Sequence, residues 1–247
     1  MESVWIFLIA AFATTISSMS GGGASVIALP IFLTLGISFP MATAMLQLNS
    51  SFWVLPSAYN FAKGRKIQWP FLILFATIGT IGSYFGVLAV TSIDQKILAR
   101  VVGIAIIILI LFINFKKDVG LEEHVVRSKL KERLIYLFSL PMGFYEALFG
   151  SGNGLFFTVI ASYFKGFDFI DSLAHYYAIS FPWALLAALI LIFKGYFSLS
   201  LMIPAVLGSV VGGFIGSKYA RLKGNKFIKV AFTVVGIVLG LKLLLNL

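Results

Sequence analysis

Apolar runs long enough to cross a lipid bilayer recur along this 247-residue chain, and its charged residues are confined to the stretches between them. A chain in lipid must satisfy its backbone groups internally, so helices or a closed barrel are the available architectures. The runs are continuous rather than alternating, which selects helices. Composition agrees: 60% of residues are hydrophobic, 11% are charged and the mean hydropathy is +1.02, outside the range of a soluble globular domain. The expected fold class is all-α, a polytopic transmembrane helical bundle. The net charge of +10 does not point to nucleic acid, because the lysines and arginines sit in short loops where membrane topology explains them. The absence of cysteine excludes disulfides, thiolate metal sites and cysteine nucleophiles. Met1-Glu2-Ser3 supplies neither a basic region nor a cleavage site, so the first apolar run is expected to be retained.

The segments fall at residues 4–19, 24–35, 39–62, 69–90 and 97–115, then at 134–149, 155–164, 169–193, 197–217 and 227–247, with a charged linker at 116–133. Sliding one half past the other by about 130 residues sets Gly22 on Gly152, Gly36 on Gly166, Ser50 on Ser180 and Gly86 on Gly216, the internal symmetry of a duplicated transporter. The expected units are residues 1–115, the linker 116–133, and residues 134–247.

The second segment of each half is too short to span: residues 24–35 rise about 18 Å against a hydrocarbon core of about 30 Å. It either joins the first segment as one interrupted span or folds back as a re-entrant hairpin. The hairpin arrangement places fifteen of the nineteen Lys and Arg on one side, whereas the interrupted span places eleven there. The positive-inside pattern therefore favours hairpins, with the linker cytoplasmic and both termini outside. Each half then crosses an odd number of times, so the repeats are inverted, an architecture suited to alternating access.

Ser20-Gly21-Gly22-Gly23 and Gly150-Ser151-Gly152-Asn153-Gly154 each precede a short helix. Glycine lets backbone approach a ligand, and the first amides of a helix are unpaired and carry the positive end of its dipole, so these breaks are candidate anion sites. Close helix packing is the alternative, and it is the expected role of Gly79, Gly82, Gly86, Gly208, Gly212, Gly213 and Gly216. Gln47, Asn49, Ser50 and Ser180 can supply neutral donors to an anion or bond helix to helix. Glu146, in an apolar run, and His175 are candidate carriers of a coupling proton; a structural hydrogen bond is the alternative for each. The partners implied are a small anionic substrate, the lipid bilayer and coupling protons or other ions, with no cofactor and no metal.

The glycine-rich pattern of Ser20 to Gly23 followed by Pro30, Gly36 and Ala42, with Gly150 to Gly154 followed by Gly166, resembles the sulfite exporter TauE/SafE family of bacterial and archaeal anion transporters. Tyr59, Gly64 and Trp69 also fit that family, and the likeness covers nearly the whole chain. Ile160 departs from it, standing where the second repeat often has proline, as does Met45-Leu46-Gln47, where many members are more polar. The resemblance implies a membrane transporter of sulfite, sulfonates or other sulfur-containing organic anions, often outward, in a prokaryotic cell membrane and without enzymatic activity. A passive anion channel and an intramembrane serine hydrolase using Ser151 and His175 are the competing readings. The first glycine cluster argues against the hydrolase, because Met45 stands where His175 would be repeated.

Overall fold

The computed structural model describes residues 2–89, 104, 106–112, 114–115, 120–150 and 152–245, and every regular element among them is helical. In chain order these are α1 (Glu2–Ser20), α2 (Ala24–Thr34), α3 (Phe39–Ala62), α4 (Trp69–Ala89), α5 (Lys129–Leu134), a 3-10 turn (Ile135–Phe138), α6 (Ser139–Phe149), α7 (Asn153–Lys165), α8 (Phe169–Phe193) and α9 (Leu199–Leu245). Residues 104, 106–112 and 114–115 are helical as well; the rest of the segment expected at 97–115 lies outside the described residues.

Boundaries follow local chemistry. Pro40 opens α3, and the Asp168 side chain caps α8 by accepting from the Asp171 amide at 2.7 Å. Gly166 in the left-handed conformation ends α7. One expectation is extended. The segments expected at 197–217 and 227–247 are two helices, taken together as α9, that meet at a kink at Gly224, where φ 80° and ψ −178° are not helical; the charged residues 218–223 continue the first of them. The described part of the charged linker, from Gly120 on, is packed against the protein at both ends. Its end forms α5, capped by Ser128, and its described start packs on the protein: the Phe169 amide donates to the Gly120 carbonyl and the His124 amide to the Gly166 carbonyl.

The spans Ser3–Ser20, Trp69–Ala89, Phe169–Phe193 and Leu199–Lys242 are long and apolar enough to cross a membrane. Large apolar side chains such as Trp5, Phe12, Ile73, Phe85, Phe214 and Val234 lie exposed on them. That belt fits hydrocarbon rather than water, and the protein is a multi-pass membrane protein.

Small residues set the helix contacts, as in other membrane bundles. A Cβ at Gly208, Gly212 or Gly216 of α9 would strike the carbonyl of Phe7, Ala11 or Thr15 of α1 in turn, and one at Gly82 or Gly86 of α4 would strike that of Leu140 or Phe144 of α6. Both pairs therefore run parallel. On α8, the Trp183 carbonyl accepts from Ser83 Oγ of α4 at 2.8 Å. About 130 residues away, the Trp53 carbonyl of α3 lies 2.6 Å from where a Cβ on Gly213 of α9 would sit. The scattered glycines are packing residues, as expected.

Candidate functional site at the two helix breaks

The chain leaves α1 at Ser20 and passes through Gly21, Gly22 and Gly23, all at positive φ, into α2. It leaves α6 through Gly150, at φ 56°, and Gly152, at φ 80°, into α7. The two breaks touch. A Cβ on Gly22 would lie 2.6 Å from the Gly152 nitrogen, and one on Gly154 would meet the Gly21 carbonyl. Any side chain at Gly22 would separate the breaks, which accounts for glycine there beyond its conformational freedom.

The earliest amides of α2 to bond back are Val26 and Ile27, both to the Gly23 carbonyl, and in α7 they are Leu155 and Phe156, both to the Gly152 carbonyl. Two helix N-termini thus begin at one place, each with amides ahead of its first internal bond. Around them, the Ser25 hydroxyl donates to the Gly150 carbonyl at 3.4 Å. The Ser20 hydroxyl closes its own break onto the carbonyls of Ile16 and Gly22, at 3.0 and 3.1 Å.

A buried side chain crosses from each long central helix to cap the helix that ends at the other break. Gln47 Nε2 of α3 donates to the carbonyls of Glu146 and Ala147 at 3.0 and 3.1 Å. Tyr177 OH of α8 donates to those of Ser17 and Ser18 at 3.3 and 3.1 Å. These bonds supplement the pairing of C-terminal carbonyls inside an apolar bundle, where the Glu146 carbonyl also accepts from the Gly150 amide at 2.8 Å and that of Ser17 from the Gly22 amide at 3.0 Å.

Beside the second break, Glu146 Oε2 accepts from Asn153 Nδ2 at 2.7 Å and from Tyr176 OH at 2.9 Å. Glu146 is buried, with the residue 3% exposed. Ile16, Gly23 and Leu46 stand about 130 residues earlier, so the first break has no such group.

The structure thus gathers Ser20 to Gly23, Gln47, Glu146, Gly150, Gly152, Asn153 and Gly154 at one place; Ser151 lies outside the described residues. Asn49 is elsewhere, its carbonyl accepting from Ser209 of α9 at 3.4 Å. Ser180 bonds back within its own helix to Tyr177, and Ser50 is buried in α3 without a recorded contact to either break. His175 has both ring nitrogens engaged by backbone: the Gln68 amide donates to Nε2 at 2.9 Å, and Nδ1 faces the Asp171 carbonyl at 2.7 Å. That pattern fixes a neutral ring carrying its proton on Nδ1, a tether between the α3–α4 turn and α8. Ser25, Tyr176 and Tyr177 join the site without having been singled out in the sequence.

A second polar feature lies where the linker meets the α3–α4 and α7–α8 turns. Arg65 Nη1 donates to Glu123, Asp168 and Asp171 at 2.9, 3.0 and 3.2 Å, and Asn225 donates to Asp168 at 2.9 Å. Burial of Arg65 opposes its charge, but Asp168 and Asp171 outweigh it and hold the guanidinium above its ordinary pKa. A pocket of about 850 Å³ opens here, lined by Arg65, Lys66, Gln68, Lys165 and Phe167 among others.

Comparison with known proteins gives a concordant result. The family model described as sulfite exporter TauE/SafE matches residues 6–243. Among curated proteins, the chain is 26% identical to the "Probable membrane transporter protein ORF9" of Sinorhizobium sp, over 97% of this chain and 91% of that one. It is 25% identical to a "Probable membrane transporter protein" of Haemophilus influenzae, over 91% of this chain and 87% of the relative. Identity to the "Probable membrane transporter protein YfcA" of Escherichia coli K12 is 24%, over 97% of this chain and 88% of the relative. No solved structure matches the chain.

Proposed function

The chain belongs to the sulfite exporter TauE/SafE family, whose relatives here are described as membrane transporters rather than enzymes, and from that premise we propose that it is a secondary transporter exporting small anions such as sulfite or short sulfonates. The anion is held where the two breaks meet, by the leading backbone amides of α2 and α7. The observation that carries this reading is the contact of Gly22 with Gly152, which brings two half-helix N-termini to one place. Among the described residues no Lys or Arg bonds to the glycines of either break, and the Lys242 ammonium donates to the Val26 carbonyl in the first turn of α2 at 2.9 Å, so backbone amides do the binding with one cation nearby.

We further propose that residues 1–115 and 134–247 are inverted repeats joined by a cytoplasmic linker. Support comes from helix direction: α3 runs parallel to α9, and α4 parallel to α8. The short turns from α3 to α4 and from α8 to α9 reverse the chain, so α3 and α8 oppose each other. Since α1 parallels α9 and α6 parallels α4, the two breaks approach from opposite faces, α6 from the linker side. Alternating access then amounts to rocking one half against the other about the touching breaks. Glu146, next to the site, is the group that carries the coupling charge, whereas His175 is a tether.

In proteoliposomes, labelled sulfite and a short sulfonate should show saturable flux accelerated by unlabelled anion on the opposite side. Flux that rises linearly with concentration and ignores the opposite side would mark an open pore instead.

A further inference from the structure

Both hydrogen bonds to the Glu146 carboxylate reach the same oxygen, and both donors, Asn153 and Tyr176, are neutral. None of the ion pairs among the described residues includes Glu146. The titratable groups facing it among the described residues are Tyr145 and Tyr176, neither of which brings a positive charge. A buried carboxylate in this setting is costly without a counter-charge.

Two further acceptors lie at the same turn. Asn153 Oδ1 and Gln47 Oε1 are buried without a hydrogen-bond partner, in residues that are 1% and 2% exposed. Reversing either amide does not help. Asn153 Nδ2 already donates to Glu146 Oε2 and the Met142 carbonyl, and Gln47 Nε2 to the carbonyls of Glu146 and Ala147, so a flip would set oxygen against oxygen. Asn153 Oδ1 belongs to the same planar amide that touches the carboxylate. All of these oxygens flank the last turn of α6, the negative end of its dipole.

When ionised, Glu146 adds one negative charge to two unmatched amide oxygens and a helix C-terminus, a hard-oxygen set matched to a single positive charge. We propose that the second break binds a dehydrated monovalent cation of the sodium class, held by the Glu146 carboxylate with Asn153 Oδ1 and Gln47 Oε1. The first break cannot do so, because Ile16 and Gly23 replace the carboxylate and the amide, and Tyr177 offers a donor where Gln47 offers an oxygen. The proposal goes beyond anion transport and is tested without a substrate anion.

The experiment is thermal unfolding of the purified full chain in detergent at fixed pH, titrated with NaCl against choline chloride at constant chloride and ionic strength. Saturable stabilisation by sodium is expected in the wild type and should vanish in Glu146→Gln. In Asn153→Gly, which copies the first break, the half-saturating sodium concentration should rise about tenfold or more. Coincident sodium and choline curves in the wild type would overturn the proposal. So would sodium stabilisation that persists in Glu146→Gln, or stabilisation by lowered pH with no response to sodium, which would mark Glu146 as a neutral carboxyl group.

Discussion

The two breaks share a scaffold and differ in chemistry. Each is a glycine-lined gap between helices, each has the C-terminal carbonyls before it capped by a side chain from the opposite central helix, and each starts a short helix at the other's edge. The second alone carries a buried carboxylate with two donors, where the first has Ile16, Gly23 and Leu46. The backbone needed to hold two helix N-termini together is therefore built twice, whereas charge has been placed once. A duplicated fold can keep its geometry while one copy specialises.

The strongest way to break this contrast is to copy the charge. Ile16→Glu puts a carboxylate at the first break with neither of the second break's donors, and it should destabilise the protein by about 3 kcal/mol or more, the cost of an uncompensated buried charge. Glu146→Gln keeps two hydrogen-bonding positions and should stay within about 1 kcal/mol of wild type. Equal losses would mean that the two breaks offer the same environment.

The same one-sidedness recurs between the two faces of the bundle, since the Arg65 cluster lies on the linker face and the α8–α9 turn has Gly195 and Tyr196 in the corresponding positions. Arg65→Ala leaves Asp168 and Asp171 facing each other, their side chains 5% and 8% exposed. It should cost about 2 kcal/mol, less than for a fully buried pair because water reaches the arginine. Asp168→Asn with Arg65→Ala should recover part of the loss; no recovery would place the arginine's role elsewhere.

The caps sharpen the comparison. Tyr177→Phe and Gln47→Leu each remove a side-chain donor from two C-terminal carbonyls, one of which keeps a backbone amide, and should each lower stability by about 1 kcal/mol. Flux should suffer only in Gln47→Leu, since Gln47 adjoins the anion site and Tyr177 caps from behind it. The smallest difference is expected at Trp53 and Trp183, about 130 residues apart. Trp183 Nε1 donates to the Ala76 carbonyl at 2.8 Å, whereas Trp53 Nε1 is buried without a partner. Trp183→Phe should therefore cost about 1 kcal/mol more than Trp53→Phe in thermal unfolding.

Much of the fold was legible because its signals are local. The segment expected at 39–62 and the one at 169–193 match α3 and α8 end to end, since proline, glycine and charge mark their limits. The breaks were legible because glycine clusters interrupt apolar runs. The extent of the helix before Gly224 was not, because the charged stretch 218–223 reads as a loop although Lys, Tyr, Ala, Arg and Leu are all compatible with helix. Nor was the partnership of Glu146 with Tyr176, which depends on the packing of α6 against α8 rather than on spacing. The matching roles of Gln47 and Tyr177 stayed hidden because the two residue types share a donor but not a shape. The Arg65 cluster joins two turns and the linker, and only the folded chain brings them together.

The central claim is that the two breaks form one anion site. Its most direct test is flux of labelled sulfite and of a short sulfonate in proteoliposomes bearing Gly22→Val or Gly152→Val, each first shown to be monodisperse by size-exclusion chromatography. Either substitution alone should abolish flux, because each separates the same pair of helix starts. Flux retained in one variant while lost in the other, or retained in both, would contradict a shared site.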